Sequence, residues 1–201
     1  MAMFKLWGIG LSINNVSSPA IFRNWCKDKN KLVIDKVKMT IRDATEADLP
    51  TIVEIYNAAI PGCIATADTE PVSVASRLSW FKNHDSNRPV WVKANKKGKV
   101  IGWLSFQSFY GRPAYKGTAE LSVYVASEYR RQGIGKQFLQ RAVYQSHILG
   151  INTLLSFIFA HNEPSLQLFG KFKFTEWGYL PRVAELDGVE RDLVILGRRI
   201  S

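Results

Sequence analysis

The fold is decided by the stretch Thr118–Lys136, which reads TAELSVYVASEYRRQGIGK. Its first eight residues, Thr118–Val125, alternate in the way that predicts a β-strand. A polar loop follows, closes with Arg-Arg-Gln-Gly-Ile-Gly at residues 130–135, and leads into apolar residues at helical spacing. Small residues and cations between a strand and a helix N-terminus form an anion site, because backbone N–H groups point outward and the helix dipole favours negative charge. We therefore expect a phosphorylated ligand at this junction.

Strand and helix signals alternate regularly on both sides of this stretch. A Thr-Glu-Ala-Asp capping arrangement at residues 45–48 starts the first helix, Pro61-Gly62 stops it, and Pro71 opens a second helix. Asn95–Gly98 predicts a hairpin, and Leu186–Gly188 predicts the turn between the last two strands. The predicted order is β-α-α-β-β-β-α-β-α-β-β, a mixed α/β sheet with helices on both faces. The predicted strands cover residues 40–44, 90–94, 100–109, 118–125, 153–159, 174–179 and 191–197.

Residues 1–38 differ in character from the remainder, which we expect to form one domain over residues 39–201. The first segment is apolar at its start and basic and irregular toward its end, with seven Lys or Arg against two Asp or Glu. We expect a poorly ordered extension, with a leader or a misassigned start site as the alternatives. Half of the net charge of +10 lies in this segment, so the charge does not by itself indicate a nucleic-acid partner.

Composition excludes several classes of protein. With 46% hydrophobic residues the chain can bury a core, and no apolar run is long enough to predict a membrane span. Two cysteines, Cys26 and Cys63, cannot form a disulfide framework. The three histidines are scattered along the chain, so we expect no metal site. These features favour a protein of a reducing, cytoplasmic compartment.

Two familiar phosphate motifs fail at the central loop. Gly133-Ile134-Gly135 would begin a dinucleotide fingerprint, but Phe138 stands where the third glycine belongs. Gly135-Lys136 would end a P-loop, but Gln137 replaces the Ser or Thr that holds magnesium. Neither a dinucleotide nor a nucleoside triphosphate is favoured as the ligand.

The remaining pattern, Arg-x-x-Gly-x-Gly at a strand–loop–helix junction, resembles the GNAT superfamily of acetyl-CoA-dependent N-acetyltransferases. The match runs from about residue 39 to 200 and implies a mixed, mostly antiparallel sheet of six to seven strands. It implies acetyl-CoA as co-substrate. The pantetheine arm of acetyl-CoA is then expected to lie beside the strand Thr118–Val125, near Asn162 and Ser165, and its pyrophosphate is expected to bind the backbone amides of the glycine-rich loop. The residues implied to contact acetyl-CoA are Val123, Tyr124, Val125, Arg130, Arg131, Gln132, Gly133, Ile134, Gly135, Lys136, Asn162 and Ser165.

A narrower resemblance is to the phosphinothricin and methionine sulfoximine acetyltransferase branch of that superfamily. It is carried by residues 41–60, by Thr69–Pro71, by Arg112–Tyr115, and by the strand Thr-Ala-Glu-Leu-Ser-Val-Tyr-Val. This branch acetylates the α-amine of small amino-acid analogues, and its members are often homodimers. The resemblance therefore implies a small amino acid or analogue as acceptor, and a homodimer.

Glu120 is the candidate catalytic residue. Along the strand, Glu120, Ser122 and Tyr124 share one face, which is unusually polar for a strand expected to be central. Acetyl transfer needs a neutral amine, and a carboxylate with a modestly raised pKa can take its proton, directly or through water. The competing interpretation is that Glu120 is simply solvated or paired with a neighbouring cation. The match of Thr-x-Glu to the family favours Glu120 as the general base.

The acceptor pocket is predicted less directly. Arg112 resembles the arginine that relatives direct at the substrate carboxylate, and a solvated loop arginine is the equal alternative. Phe106, Tyr110 and Tyr115 are candidate pocket aromatics that could equally lie in the core. Relatives place a Tyr or His near position 169, but Phe169 cannot protonate the departing thiolate, so no general acid is predicted.

Competing functions stay open at this point. Within enzymes, the acceptor could be a protein or peptide N-terminus, or a polyamine, although a polyamine pocket should be lined with acidic residues. From another class comes a non-catalytic module that binds coenzyme A or nucleic acid. We expect direct transfer in a ternary complex, with small-molecule substrates and neither nucleic acid nor membrane as partners.

Overall fold

The computed structural model describes residues 41–200, which form one seven-stranded mixed sheet in the order β1-β2-β3-β4-β5-β7-β6. All neighbouring strands pair antiparallel except β4 and β5, which are parallel. The strands are β1 Ile41–Asp43, β2 Val90–Ala94, β3 Val100–Ser108, β4 Thr118–Val125, β5 Thr153–Phe159, β6 Thr175–Leu186 and β7 Val189–Arg199. The helices are α1 Leu49–Asn57, α2 Val74–Lys82, α3 Ile134–Gln145 and α4 Glu163–Gly170. The predicted order of elements is confirmed, whereas the expectation for residues 1–38 lies outside the described residues.

The sheet carries a hydrophobic core on each face. On one face, Leu104 of β3 and Leu121 of β4 pack with Phe138 of α3, all at most 1% exposed. On the other face, Ile52 of α1 packs with Trp103 of β3, whose indole N–H donates to the Ile52 carbonyl at 3.1 Å. Because side chains alternate across a strand, β4 contributes its apolar residues to the first core and turns Glu120, Ser122 and Tyr124 toward the second.

The predicted capping arrangement forms at a 3-10 turn, Glu46–Asp48, which leads directly into α1. The Asp48 carboxylate accepts hydrogen bonds from the backbone N–H and hydroxyl of Thr45, at 2.8 and 2.9 Å. It also accepts a two-pronged bond from the Arg42 guanidinium, with both distances 2.7 Å. The Arg42 hydrogen bond, helped by those of Thr45, lowers the pKa of Asp48 to about 2.

We expect the substitution Asp48→Asn to destabilise the protein by about 2 kcal/mol at neutral pH, the free energy of a shift of nearly two pKa units. Because the folded-state pKa lies below the ordinary 3.8, this stability is fully present above pH 4 and is lost as the pH falls toward 2. Urea unfolding of both forms at pH 7 and pH 3 measures it. An equal free-energy difference at the two pH values would contradict the assignment.

The last two strands are much longer than the sequence predicts. Strand β6 runs to Leu186 rather than Tyr179, and its pairing with β7 shifts register between Leu180 and Ala184. Pro181 lies in this irregular stretch, and a proline is tolerated there because β6 is the edge strand of the sheet. The hairpin turns at Asp187 and Gly188, both with positive φ, as a tight two-residue turn requires.

Candidate active site

Strands β4 and β5 separate after a short region of parallel pairing. Their ladder ends at Glu120 and Leu155, although β4 continues to Val125 and β5 to Phe159. The Leu121 carbonyl points into the gap, where it accepts a bond from the Ser156 hydroxyl at 3.1 Å. Two residues further on, the Val123 backbone faces the same side without a strand neighbour. The gap can therefore accept an extended chain that offers peptide-like groups.

The loop that connects β4 to α3 closes with Arg130–Lys136, which we call the anion loop. Gly133 is the N-cap of α3 with φ 77°, and Arg131 also has positive φ. Within residues 41–200, the backbone N–H groups of residues 131–136 have no backbone acceptor. Six unpaired amides at a helix N-terminus, with exposed side chains of Arg130, Arg131 and Lys136 beside them, form a site for a phosphate or pyrophosphate.

Glu120 lies on the wall of a cleft of about 440 Å³. In the register of β3 and β4 it faces Gln107, Ser122 faces Ser105, and Tyr124 faces Trp103. Burial raises the pKa of the Glu120 carboxyl above its ordinary value. No hydrogen bond or ion pair joins this carboxylate to another residue of the 41–200 region. A half-buried carboxylate without a partner, on the wall of a cleft, is well suited to receive a proton.

A short strap, Cys63–Ala65, crosses the same cleft. Its three consecutive carbonyls contact His161 Nε2 at 2.8 Å, Asn162 Nδ2 at 3.1 Å and the Tyr124 hydroxyl at 2.8 Å. Asn162 also caps α4, since its side-chain oxygen accepts from the Ser165 amide at 3.2 Å. The Asn162 amide keeps a second N–H and a second lone pair for a ligand. Burial raises the pKa of Tyr124, which therefore stays a hydrogen-bond donor.

The cleft brings together five of the sequence-predicted residues, namely Glu120, Val123, Tyr124, Asn162 and Ser165. The other cofactor-binding candidates lie on the anion loop and its flanks: Val125, Arg130, Arg131, Gln132, Gly133, Ile134, Gly135 and Lys136. Ile134 differs from its loop neighbours because its side chain is 4% exposed and packs in the core. It can offer a ligand only its backbone.

The four residues that were predicted to contact the acceptor do not line this cleft. Phe106 is 0% exposed and packs edge-to-face on Trp91. Both belong to the core that contains Phe138, on the face of the sheet opposite Glu120. Arg112 and Tyr115 lie in the loop between β3 and β4, where they line a separate hollow. Tyr110, in the same loop, is 76% exposed and packs against Phe109. A contact between these side chains and the acceptor stays a prediction.

The cleft and its rim contain side chains that no sequence motif indicates. Tyr56 and Thr66 share a hydrogen bond of 2.5 Å, and Tyr56 also donates to Asp68 at 2.7 Å. Arg77 lies over the Tyr56 ring and donates to the same Asp68 oxygen. The helical spacing of Arg77 and Trp80 on α2 is a signal that could have placed both on one face. Their proximity to Glu120 depends on the packing of α2 over the sheet, which the sequence pattern does not give.

Phe169 is one of the residues that line the cleft. It is 3% exposed and packs edge-to-face on Phe174, with ring centroids 5.0 Å apart. Its ring offers no proton to a departing thiolate. Among residues 41–200, no three His, Cys, Asp or Glu side chains lie close enough to hold a metal, and no helix is long and apolar enough to cross a membrane.

Comparison with known proteins gives a consistent picture. Residues 50–174 match the model of the acetyltransferase (GNAT) family. YwnH from Bacillus subtilis, which is provisionally named a phosphinothricin acetyltransferase, is 48% identical over 81% of this chain and 100% of its own length. The L-methionine sulfoximine/L-methionine sulfone acetyltransferase of Pseudomonas aeruginosa is 32% identical over 78% of this chain and 92% of its own.

A solved structure resembles the chain to a similar extent. The phosphinothricin acetyltransferase of Sinorhizobium meliloti, determined in complex with acetyl-CoA, is 30% identical to it. The similarity covers 81% of this chain and 88% of that one, with a TM-score of 0.77. The fold described above is therefore one that holds acetyl-CoA in a relative.

Proposed function

Because the chain belongs to the acetyltransferase (GNAT) family and is an acetyl-CoA-dependent N-acetyltransferase, we propose that it acetylates the amine of a small amino acid or analogue. The observation that carries this proposal is the position of Glu120, a half-buried and unpaired carboxylate in a cleft that opens beside the gap between β4 and β5. The relatives named for phosphinothricin and methionine sulfone support an acceptor of that size.

In this proposal, acetyl-CoA lies along the gap with its pyrophosphate on the anion loop. The pantetheine amides pair with the free edge of β4 at Val123 and with Asn162. Backbone N–H groups around Val123–Val125 polarise the thioester oxygen, because fixed donors stabilise the charge that develops there. The carbonyl carbon of the acetyl group then lies next to the wall of the cleft from which Glu120 projects.

The reaction proceeds by direct attack within a ternary complex. Glu120 receives the proton of the acceptor ammonium, directly or through a water molecule, and the neutral amine attacks the thioester carbon. The carbon–sulfur bond breaks, the thiolate of coenzyme A leaves, and the nitrogen gives up its second proton to water. Because Phe169 offers no proton, we propose that solvent protonates the thiolate.

A panel of acceptors tests the proposal. The purified protein is incubated with acetyl-CoA and with methionine sulfone, phosphinothricin, ordinary amino acids, spermidine or short peptides, and mass spectrometry locates the acetyl group. We expect acetylation of the α-amine of small amino acids, with at least a tenfold higher kcat/KM than for spermidine or peptides. The reverse order would assign the enzyme to the polyamine or peptide class.

A polyamine acceptor is disfavoured by the charges of the cleft. Of the described residues that line it, Glu120 is the only acidic one, and Arg77 is a cation. A polyamine carries several positive charges and needs several carboxylates.

We further propose a cytoplasmic homodimer. The support is a group of exposed apolar side chains on the β6–β7 hairpin: Trp177, Tyr179, Val183 and Val189. Such a patch on an edge strand is suited to bury against a second copy. Sedimentation equilibrium is expected to give the mass of two chains, and the mass of one chain at micromolar concentration would contradict the dimer.

A further inference from the structure

We infer that Arg77 of α2 binds an acidic group of the acceptor. The inference rests on the proposed function, because it assumes that a small amino acid enters the cleft. Arg77 would then select the acceptor from a different place than Arg112, the arginine expected from the sequence.

The first support is the distribution of charge in the cleft. Of its described lining residues, Glu120 and Arg77 are the two charged ones, and they have opposite signs. An amino acid has the complementary pair of groups, an ammonium and a carboxylate. With the ammonium at Glu120, an acidic group of the same molecule is attracted toward Arg77.

The second support is the way in which Arg77 is held. Its Nη2 donates to Asp68 Oδ2 at 2.7 Å, and its guanidinium carbon lies 4.8 Å from the centroid of the Tyr56 ring. The Tyr56 hydroxyl donates to the same Asp68 oxygen at 2.7 Å. A guanidinium has five N–H donors in a rigid plane, so the single bond to Asp68 leaves a fixed fork with donors for a planar acid.

The third support is a continuous set of contacts between Arg77 and the catalytic strand. Trp80 lies one turn further along α2, and its indole N–H donates to the Gln107 side-chain oxygen at 3.2 Å. Gln107 is the cross-strand neighbour of Glu120. The face of α2 that carries Arg77 therefore packs over the part of the sheet where the amine is expected to react.

Arg112 occupies a different position. It lines the hollow that also contains Arg88, Tyr115 and Leu149. Arg88 connects the walls of this hollow by donating to the carbonyls of Lys116 and Leu149. Among residues 41–200 of one chain, the arginine that lines the cleft of Glu120 is Arg77.

The test compares acceptors that differ in a single acidic group. Methionine sulfone and its carboxamide differ in the α-carboxylate, whereas phosphinothricin and methionine sulfone differ in the charge of the side chain. We expect Arg77→Gln to raise KM for the acidic member of one pair about 10-fold to 100-fold, the range of a charge-assisted hydrogen bond. The kcat value should change less than threefold. The preference of the enzyme for the acidic member over the other member of that pair, measured as the ratio of their kcat/KM values, should disappear. The affected pair identifies which acidic group Arg77 holds.

The matched control is Arg42→Gln, which removes an arginine–aspartate pair of the same 2.7 Å distance outside the cleft. It should leave both preferences unchanged. If Arg77→Gln does not fold, Arg77→Lys replaces it, because the lysine keeps the charge and loses the fork. The preference should then fall at least threefold.

Three results would overturn the inference: both preferences preserved in the folded Arg77 variant, no preference in the wild type, or loss of the preference in Arg112→Gln instead. A wild type that acetylates no amino acid would overturn the proposed function, and this inference with it. A wild type that turns over normally while the Arg77 variant keeps its preferences would overturn the inference alone.

Discussion

Glu120→Gln is expected to lower kcat about 100-fold and to leave the affinity for acetyl-CoA within a factor of two. Positioned general bases contribute factors of this size. The glutamine has nearly the same shape, so the cleft and the gap between β4 and β5 should be preserved. Steady-state kinetics with a saturating amino acid, together with acetyl-CoA binding by calorimetry, measures the two quantities separately.

The pH dependence gives an independent test of the same role. Burial raises the pKa of Glu120, and the base acts only when it is ionised. The wild-type kcat/KM should therefore fall as the pH drops through this raised pKa, and the variant should lack that acidic limb. Glu54→Gln, on the exposed face of α1, serves as the control with unchanged kinetics. A Glu120→Gln enzyme with the wild-type rate and profile would remove Glu120 from the role.

Gly135→Asp is expected to weaken acetyl-CoA binding about 10-fold to 100-fold while the protein stays folded. Gly135 is the second residue of α3, beside the unpaired amides of the anion loop. A carboxylate there repels the pyrophosphate, although a negative charge in the first turn of a helix favours the helix itself. Calorimetric titration with acetyl-CoA and thermal unfolding separate the two effects.

Gly135→Ala is the control for the added side-chain carbon. A Cβ at this position meets Leu168 Cδ2 at 2.8 Å, and both variants share that contact with the end of a flexible side chain. The difference between them therefore measures the effect of the carboxylate group beyond that shared contact. Equal acetyl-CoA affinities in the alanine and aspartate variants would show that no anion lies at the start of α3.

The sequence predicts the local elements well, because their signals are local. The Thr45–Asp48 capping arrangement, the glycine-rich loop before α3 and the alternation of β4 all appear in the structure as predicted. The length of β6 is not predicted, because Pro181 and the register shifts interrupt the strand pattern. The edge position that permits this proline is a property of the whole sheet.

The acceptor side of the cleft depends on packing between distant segments. Gln107 faces Glu120 only through the register of two strands, and Trp80 reaches Gln107 only because α2 packs over them. The pairing of Asp68 with Arg77 likewise brings together a loop and a helix. Residue type and spacing carry no signal for such contacts, so the sequence drew attention to Arg112 and not to Arg77.

Direct transfer is tested by initial rates of thiol release, measured while acetyl-CoA and methionine sulfone are both varied. We predict intersecting lines in the double-reciprocal plot, one N-acetylated amino acid for each thiol released, and no acetyl group on the protein when acetyl-CoA is supplied alone. Parallel lines with an acetylated protein would contradict direct transfer. Absence of thiol release with every amino acid would contradict the proposed function itself.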